Sequence, residues 1–248
     1  MTALATGWLA VAGLGPGDDS LVTPEVRSAL DAATDVIGYF TYVARVAPRD
    51  GLTLHGSDNR VELDRATHAL QLAAGGARVV IVSSGDPGVF AMASALFEAL
   101  EKRPDLLHLD IRILPGITAM LAAAARAGAP LGHDFCAINL SDNLKPWALV
   151  ERRLRLAAQA DFAMGFYNPR SASRPHQFAL ALDILRQECG PDRLITFARA
   201  VSTPDERIST VTLAEATPEM ADMRTVVIVG NSATKLLGRF VYTPRRAD

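Results

Sequence analysis

Four times in the first 120 residues a short apolar run ends at a small or aromatic residue, and helical periodicity follows. The runs are residues 8–14, 35–38, 79–82 and 110–114. A chain that repeats strand, loop and helix has few ways to arrange its strands. They lie side by side in an open, mostly parallel sheet with helices on its faces. The loops that leave the strands then gather at one rim, which is where open α/β sheets bind ligands. The sharpest instance is Val79-Val80-Ile81-Val82, β-branched throughout and bounded by Gly75-Gly76. It runs into Ser83-Ser84-Gly85-Asp86-Pro87-Gly88-Val89-Phe90, and residues 89–100 read as a helix. Gly85 and Gly88 let backbone approach a ligand or take positive φ. Asp86 is either a carboxylate offered to a ligand or a cap for the helix behind it.

The first run ends in Gly13-Leu14-Gly15-Pro16-Gly17-Asp18. Thr23 as N-cap, Pro24 at the first helical position and Glu25 then open a helix. A dinucleotide fingerprint does not fit this loop. The spacing is G-x-G-x-G, Pro16 removes a backbone donor, and the helix starts too late to meet a pyrophosphate. The second strand closes on Gly38-Tyr39-Phe40 and brings no carboxylate for a ribose. A nucleotide-dependent oxidoreductase is thereby disfavoured. Tyr39 and Tyr42 flank this rim, where a flat substrate could lie. The fourth run ends in Pro115-Gly116-Ile117-Thr118-Ala119, with Thr118 either an N-cap or a group that meets a ligand carboxylate.

Composition narrows the class. A chain of 248 residues that is 49% hydrophobic can bury one sizeable core or two smaller ones. A net charge of −2 gives no basic footprint for nucleic acid. Cys136 and Cys189 have no ligand-type spacing, so neither a metal site nor a disulfide framework is expected. No signal peptide is read at the N-terminus. The longest apolar-leaning run, residues 118–127, is too short to span a bilayer. The expectation is a cytoplasmic protein without a membrane partner.

The pattern changes at Gly128-Ala129-Pro130-Leu131-Gly132-His133-Asp134, read as a boundary mark. Strands are predicted at 135–140, 162–166, 194–200, 208–212, 225–229 and 240–244, with helices opening at Pro146-Trp147 and near His176. Closely spaced short strands point to an α+β arrangement or mixed sheet.

These motifs together resemble the tetrapyrrole (precorrin/corrin) methylases over nearly the whole chain. The Gly13–Gly17 loop and Ser84-Gly85-Asp86-Pro87-Gly88 are general to that family. Gly132-His133-Asp134-Phe135, Asp142-Asn143-Leu144-Lys145-Pro146-Trp147 and Phe166-Tyr167-Asn168-Pro169-Arg170-Ser171 resemble more narrowly its C17-methylating branch. Pro115-Gly116-Ile117-Thr118-Ala119 and Val229-Gly230-Asn231-Ser232 extend the likeness. The resemblance implies two α/β domains, residues 1–116 with a mostly parallel sheet and 117–248 with a mixed one, and a cofactor cleft between them. It implies S-adenosylmethionine as methyl donor and precorrin-3B as substrate, methylated at C17 with ring contraction to precorrin-4 in cobalamin biosynthesis. It also implies a homodimer.

Carried over motif by motif, the cofactor contacts are Gly85, Asp86, Val89, Thr118, Ala119, Tyr167, Asn168, Ala200 and Thr225. The family often has Met where this chain has Asn168. Gly13, Gly15, Pro16, Gly17 and Tyr39 would face the tetrapyrrole. Lys145, Arg170, Arg174 and Lys235 are cations in or beside predicted loops, able to meet its carboxylates. Methyl transfer from a sulfonium needs orientation and a dry site rather than a protein nucleophile. Ring contraction requires a tertiary hydroxyl to lose a proton, and His133, Asp134, Asp142 and Lys145 are the titratable candidates. His133 as a capping or core histidine stands beside His133 as base. Two other readings stay open: a relative acting on a cobalt-containing precorrin or another ring carbon, and a non-catalytic tetrapyrrole-binding protein.

Overall fold

The computed structural model describes residues 7–58 and 61–246; residues 1–6, part of the stretch read for a signal peptide, lie outside the described residues. The chain forms two compact units, Met1–Thr118 and Ala119–Asp248.

In the first unit the strands are β1 (Trp8–Gly13), β2 (Asp35–Tyr39), β3 (Thr53–Ser57), β4 (Arg78–Ser83) and β5 (Asp110–Leu114). They form one sheet in the order β3-β2-β4-β1-β5, parallel throughout. The helices are α1 (Pro24–Ala32), α2 (Phe40–Val43), α3 (Glu62–Ala74) and α4 (Met92–Glu101). Alternate strand residues take opposite faces. Leu9, Val11, Ile37, Val79 and Ile81 pack with Leu70 of α3 and Leu96 of α4. Ala10, Ala12, Val36, Val80 and Val82 pack with Val26 of α1 and Val43 of α2. Burial on both faces is why the central strands read as unbroken apolar runs. Thr23 Oγ1 accepts from Val26 N at 3.3 Å and Pro24 starts α1, as the sequence predicts; such a cap is worth about 1 kcal/mol.

The unit holds one strand more than the sequence reveals. β3 reads Thr-Leu-His-Gly-Ser, with a single aliphatic residue, and lies at the sheet edge against β2 alone. An edge strand needs little apolar surface and gains from polar residues that discourage further pairing. α4 begins at Met92, three residues later than periodicity suggests. Phe90 takes φ +54° and Val89 N closes a turn on Asp86 O at 3.2 Å, so the helix cannot start before both.

The second unit comprises α5 (Ala119–Ala127), β6 (Gly128–Ala129), β7 (Phe135–Asn139), α6 (Trp147–Gln159), β8 (Ala163–Tyr167), α7 (Gln177–Glu188), β9 (Leu194–Arg199), β10 (Arg207–Thr212), β11 (Thr225–Val229), β12 (Lys235–Leu237) and β13 (Phe240–Tyr242). Its main sheet runs β10-β9-β11-β8-β7, with only β7 and β8 parallel. A small sheet joins β12, β13 and β6. Ile138, Met164, Phe166, Ile195, Phe197 and Val227 face α6 and α7. Ala198, Val226 and Ile228 face Met120 and Ala123 of α5. Residues 128–134 do not divide the chain; they lie inside this unit. A Cβ on Gly128 would stand 2.5 Å from Val241 O, and one on Gly132 2.5 Å from Thr243 O. Those glycines serve close strand approach, not a linker.

Candidate functional site

At the carboxyl rim of the first sheet three loops meet through bare backbone. Gly15 and Gly85 form an antiparallel bridge, with Gly85 N donating to Gly15 O at 2.9 Å and Gly15 N to Gly85 O at 3.2 Å. A Cβ on Gly13 would lie 2.4 Å from Gly85 O, and one on Gly116 2.1 Å from the same oxygen. Gly15 and Gly85 both hold positive φ, +69° and +60°. Asp86 braces the assembly: its Oδ1 accepts from Gly88 N at 2.8 Å and its Oδ2 from Gly116 N at 3.1 Å. It does not cap α4, whose N-cap is Ala91. Arg45, just beyond α2, donates to Leu14 O at 2.8 Å and fixes the glycine loop from its other side. Pro16, Gly17 and Val89 are half-buried at this rim, and Thr118 is buried where the unit ends. Tyr39 is half-buried, its ring edge-on to Tyr42 with centroids 5.5 Å apart.

The mixed sheet of the second unit gathers its own set. β7 and β8 end at Asn139 and Tyr167, and antiparallel β11 starts beside them at Thr225. Tyr167 Oη accepts from Met120 N at 3.1 Å, tying the start of α5 and Ala119 to the end of β8. Asn168, at φ +51°, donates through Nδ2 to Asn139 Oδ1 at 3.1 Å. Its carbonyl accepts from Arg174, a nearly buried guanidinium, at 3.1 Å. Ala200 follows β9 at φ +49° and its carbonyl accepts from Thr203 Oγ1 at 2.8 Å. Thr225 Oγ1 donates to Asp222 Oδ1 at 2.7 Å. Burial pushes the Asp222 carboxyl up, but hydrogen bonds from Thr225 and Arg199 hold it below the usual carboxylate range on balance.

Lys145 stands in the loop after β7, at this same end, with Nζ donating to Ser141 O at 3.0 Å. Burial, then Arg153 and Arg174, draw its ammonium pKa down, against Asp142. Arg170 lines a surface pocket with Ser171, Pro175, Asp222, Met223 and Arg224. So Ala119, Lys145, Tyr167, Asn168, Ala200 and Thr225 share one end of the sheet. His133 and Asp134 do not. They precede β7, at the opposite end, about 16 Å away along a five-residue strand. There His133 Nδ1 lies 3.9 Å from Asp134 Oδ2, and Asp134 O accepts from Ala163 N.

Sequence reasoning missed Arg45, Asn139 and the contact of Gly13, Gly85 and Gly116. The signal for the last was present: each glycine stands at or just past the end of one of three strands that prove to be neighbours. Among the described residues, no group of three His, Cys, Asp or Glu side chains could hold a metal ion, and no helix is long and apolar enough to cross a membrane.

Residues 9–217 match the family described as Tetrapyrrole (Corrin/Porphyrin) Methylases. A Sinorhizobium protein named precorrin-3B C(17)-methyltransferase is 51% identical over 246 residues, covering 97% of each chain. The crystal structure of the methyltransferase CobJ matches at 73% identity and a TM-score of 0.95, covering 96% of this chain and 100% of that one. The uroporphyrin-III C-methyltransferase of Thermus thermophilus, solved with S-adenosyl homocysteine, shares 23% identity and a TM-score of 0.67, covering 90% of this chain and 92% of that one. Likeness at that level is one of fold alone. With a family match over most of its length and a relative at 51% identity across both chains, this chain belongs to the tetrapyrrole methylases.

Proposed function

We propose that this chain methylates C17 of precorrin-3B, with ring contraction to precorrin-4, using S-adenosylmethionine in cobalamin biosynthesis. The observation that carries the reading is the 51% identity over 97% of both chains to the Sinorhizobium enzyme of that name. When bound, S-adenosylmethionine supplies an electrophilic methyl group on a sulfonium. The residues fit such a ligand. Asn168 and Ala200 hold left-handed backbone at two loop starts on one end of the sheet, a conformation that costs Ala200 about 1 kcal/mol or more and that clusters at ligand sites.

In this reading Gly85, Val89 and Thr118 of the first unit contact the cofactor, as do Ala119, Tyr167, Asn168, Ala200 and Thr225 of the second, and Asp86 serves it from behind. Asp86 acts by holding Gly88 and Gly116 in place, each of its oxygens accepting one backbone N–H, rather than by lending its charge. Gly13, Gly15, Pro16, Gly17 and Tyr39 border the macrocycle, and Arg170 and Lys145 meet its carboxylates. Of the four proton-handling candidates Asp142 and Lys145 stand at the Asn168 end of the sheet, and Asp142 already accepts from Gln177 Nε2 at 3.0 Å, which leaves Lys145 as the proton acceptor. Its lowered pKa leaves more of the neutral amine to take the hydroxyl proton released on contraction. His133 and Asp134 are assigned to holding the far end. The working form is a homodimer, checked by sedimentation.

The test is incubation with S-adenosylmethionine and precorrin-3B, with mass analysis of both products. Equal amounts of S-adenosylhomocysteine and of a tetrapyrrole heavier by one CH2 are expected. Turnover of only a cobalt-containing analogue would move the assignment to the cobalt-dependent relatives. Binding of precorrin-3B without transfer would leave a carrier.

A further inference from the structure

We propose that Tyr42 recognises an oxygen at the periphery of the tetrapyrrole, its hydroxyl donating a hydrogen bond while Tyr39 and Ser84 set its position. The inference rests on the substrate reading above and adds a contact to it.

The topology singles out the place. The connection leaving β2 runs outward to β3, and the one leaving β4 runs the opposite way to β5. Loops that diverge from neighbouring parallel strands leave a crevice at the strands' carboxyl ends. Tyr39 closes β2, Tyr42 lies in the short α2 behind it, and Ser84 follows β4. All three are half-buried, so each keeps an open side. The rings of Tyr39 and Tyr42 meet at 79°, which fixes the direction of the Tyr42 ring. Ser84 lies close enough to the Tyr42 hydroxyl to draw its pKa down. Phe40, 58% exposed beside them, offers an apolar wall of the kind a flat macrocycle covers.

The charges around Tyr42 give the ligand's sign. Arg65, only 6% exposed, donates to Ser57 Oγ at 2.9 Å, Asp58 O at 2.8 Å and Met92 Sδ at 3.3 Å. Each of those acceptors is neutral, and among the described residues the one carboxylate that acts on Arg65, Glu62 a turn earlier on α3, makes no ion pair with it. Arg45 points its guanidinium at Leu14 O and Gly15 O, with Asp19 at 3.2 Å on its exposed side. Both cations act on Tyr42. A buried guanidinium whose hydrogen bonds all go to neutral acceptors favours an anionic or carbonyl oxygen nearby. Burial raises the Tyr42 pKa, against Ser84 first and then Arg65 and Arg45, and so keeps the phenol protonated and able to donate. A tetrapyrrole rimmed with carboxylates supplies the acceptor.

The experiment uses the full chain carrying Tyr42→Phe, which removes one oxygen and leaves the ring, and separately Ser84→Ala. Three quantities are read: melting temperature, S-adenosylhomocysteine affinity by calorimetry, and precorrin-3B affinity by equilibrium dialysis without turnover. About a tenfold loss of precorrin-3B affinity is expected for Tyr42→Phe, as for one charge-assisted hydrogen bond. Melting temperature and S-adenosylhomocysteine affinity should hold, and Ser84→Ala should give a smaller loss of the same kind. Unchanged precorrin-3B affinity in folded Tyr42→Phe overturns the inference alone. A lower melting temperature with unchanged affinity does so too, and makes the hydroxyl a packing contact. A wild-type chain that binds no precorrin-3B overturns the substrate reading and this inference with it.

Discussion

The two units solve the same problem differently. Each holds several loops together at the end of a sheet. The first does it with absent side chains: Gly13, Gly85 and Gly116 let three backbones touch, and one carboxylate, Asp86, links two of the loops. The second does it with side chains: Tyr167 ties the end of β8 to the start of α5, Asn168 reaches Asn139 at the end of β7, Arg199 at the end of β9 reaches Asp222 before β11, and two residues with a Cβ, Asn168 and Ala200, take left-handed backbone. The difference follows from topology. In the parallel sheet every strand ends at the same rim, so loops crowd there and space is scarce. In the mixed sheet antiparallel neighbours alternate ends and incoming strands such as β11 separate the loops, so side chains must bridge them.

Adding a methyl group should break the first arrangement most severely. Gly116→Ala would put Cβ 2.1 Å from Gly85 O and 2.8 Å from Gly13 O, backbone atoms that cannot swing away. A loss of about 3 kcal/mol is expected, at the upper end for overpacking, measured by urea unfolding. Gly51→Ala is the control. It has φ +76° and nothing within 4 Å, so only backbone strain of about 1–2 kcal/mol should register. Equal losses at the two sites would mean the glycine contact adds nothing.

Removing the brace should cost less. Asp86→Ala leaves Gly88 N and Gly116 N without their acceptor, for about 2 kcal/mol. Cofactor affinity should fall with stability, because Gly88 and Gly116 lose their fixed positions. Asp86→Asn keeps one acceptor and should recover part of both, read by calorimetry and melting on the same samples. Affinity lost at unchanged stability would instead make Asp86 a direct contact.

The smallest effect tests the second unit and has the opposite sign. Ala200→Gly removes the steric cost of φ +49° and should stabilise the fold by about 1 kcal/mol, seen as a higher urea midpoint. No gain would mean the neighbouring bonds from Thr203 and Arg224 already offset that strain.

Much of this was legible in the chain. The buried strands β1, β4, β8 and β11 announce themselves as apolar runs, and Thr23-Pro24 marks the start of α1, because propensity and burial act on neighbouring residues. Polar β3 and the two-residue β6 gave no such signal; one is an edge strand and the other exists only through pairing with β13. The candidate site divides along the same line. Glycine at successive strand ends could be read, and so could the hydroxyl and amide at Tyr167 and Asn168. That Asp86 would serve Gly116, thirty residues on, could not.

Sequence by itself determined which segments become strands and helices, since alternation and capping depend on residues a few positions apart. It also determined that the first sheet is parallel, because each strand is separated from the next by a segment long enough to cross back. Tertiary structure decided strand order, and with it which loops touch. β1 sits between β4 and β5, so Gly13, Gly85 and Gly116 converge although about 70 and 30 residues separate them in the chain. It likewise decided that His133 and Lys145, twelve residues apart, stand at opposite ends of β7. A strand carries its two flanking loops apart by its own length, and spacing along the sequence does not record that distance.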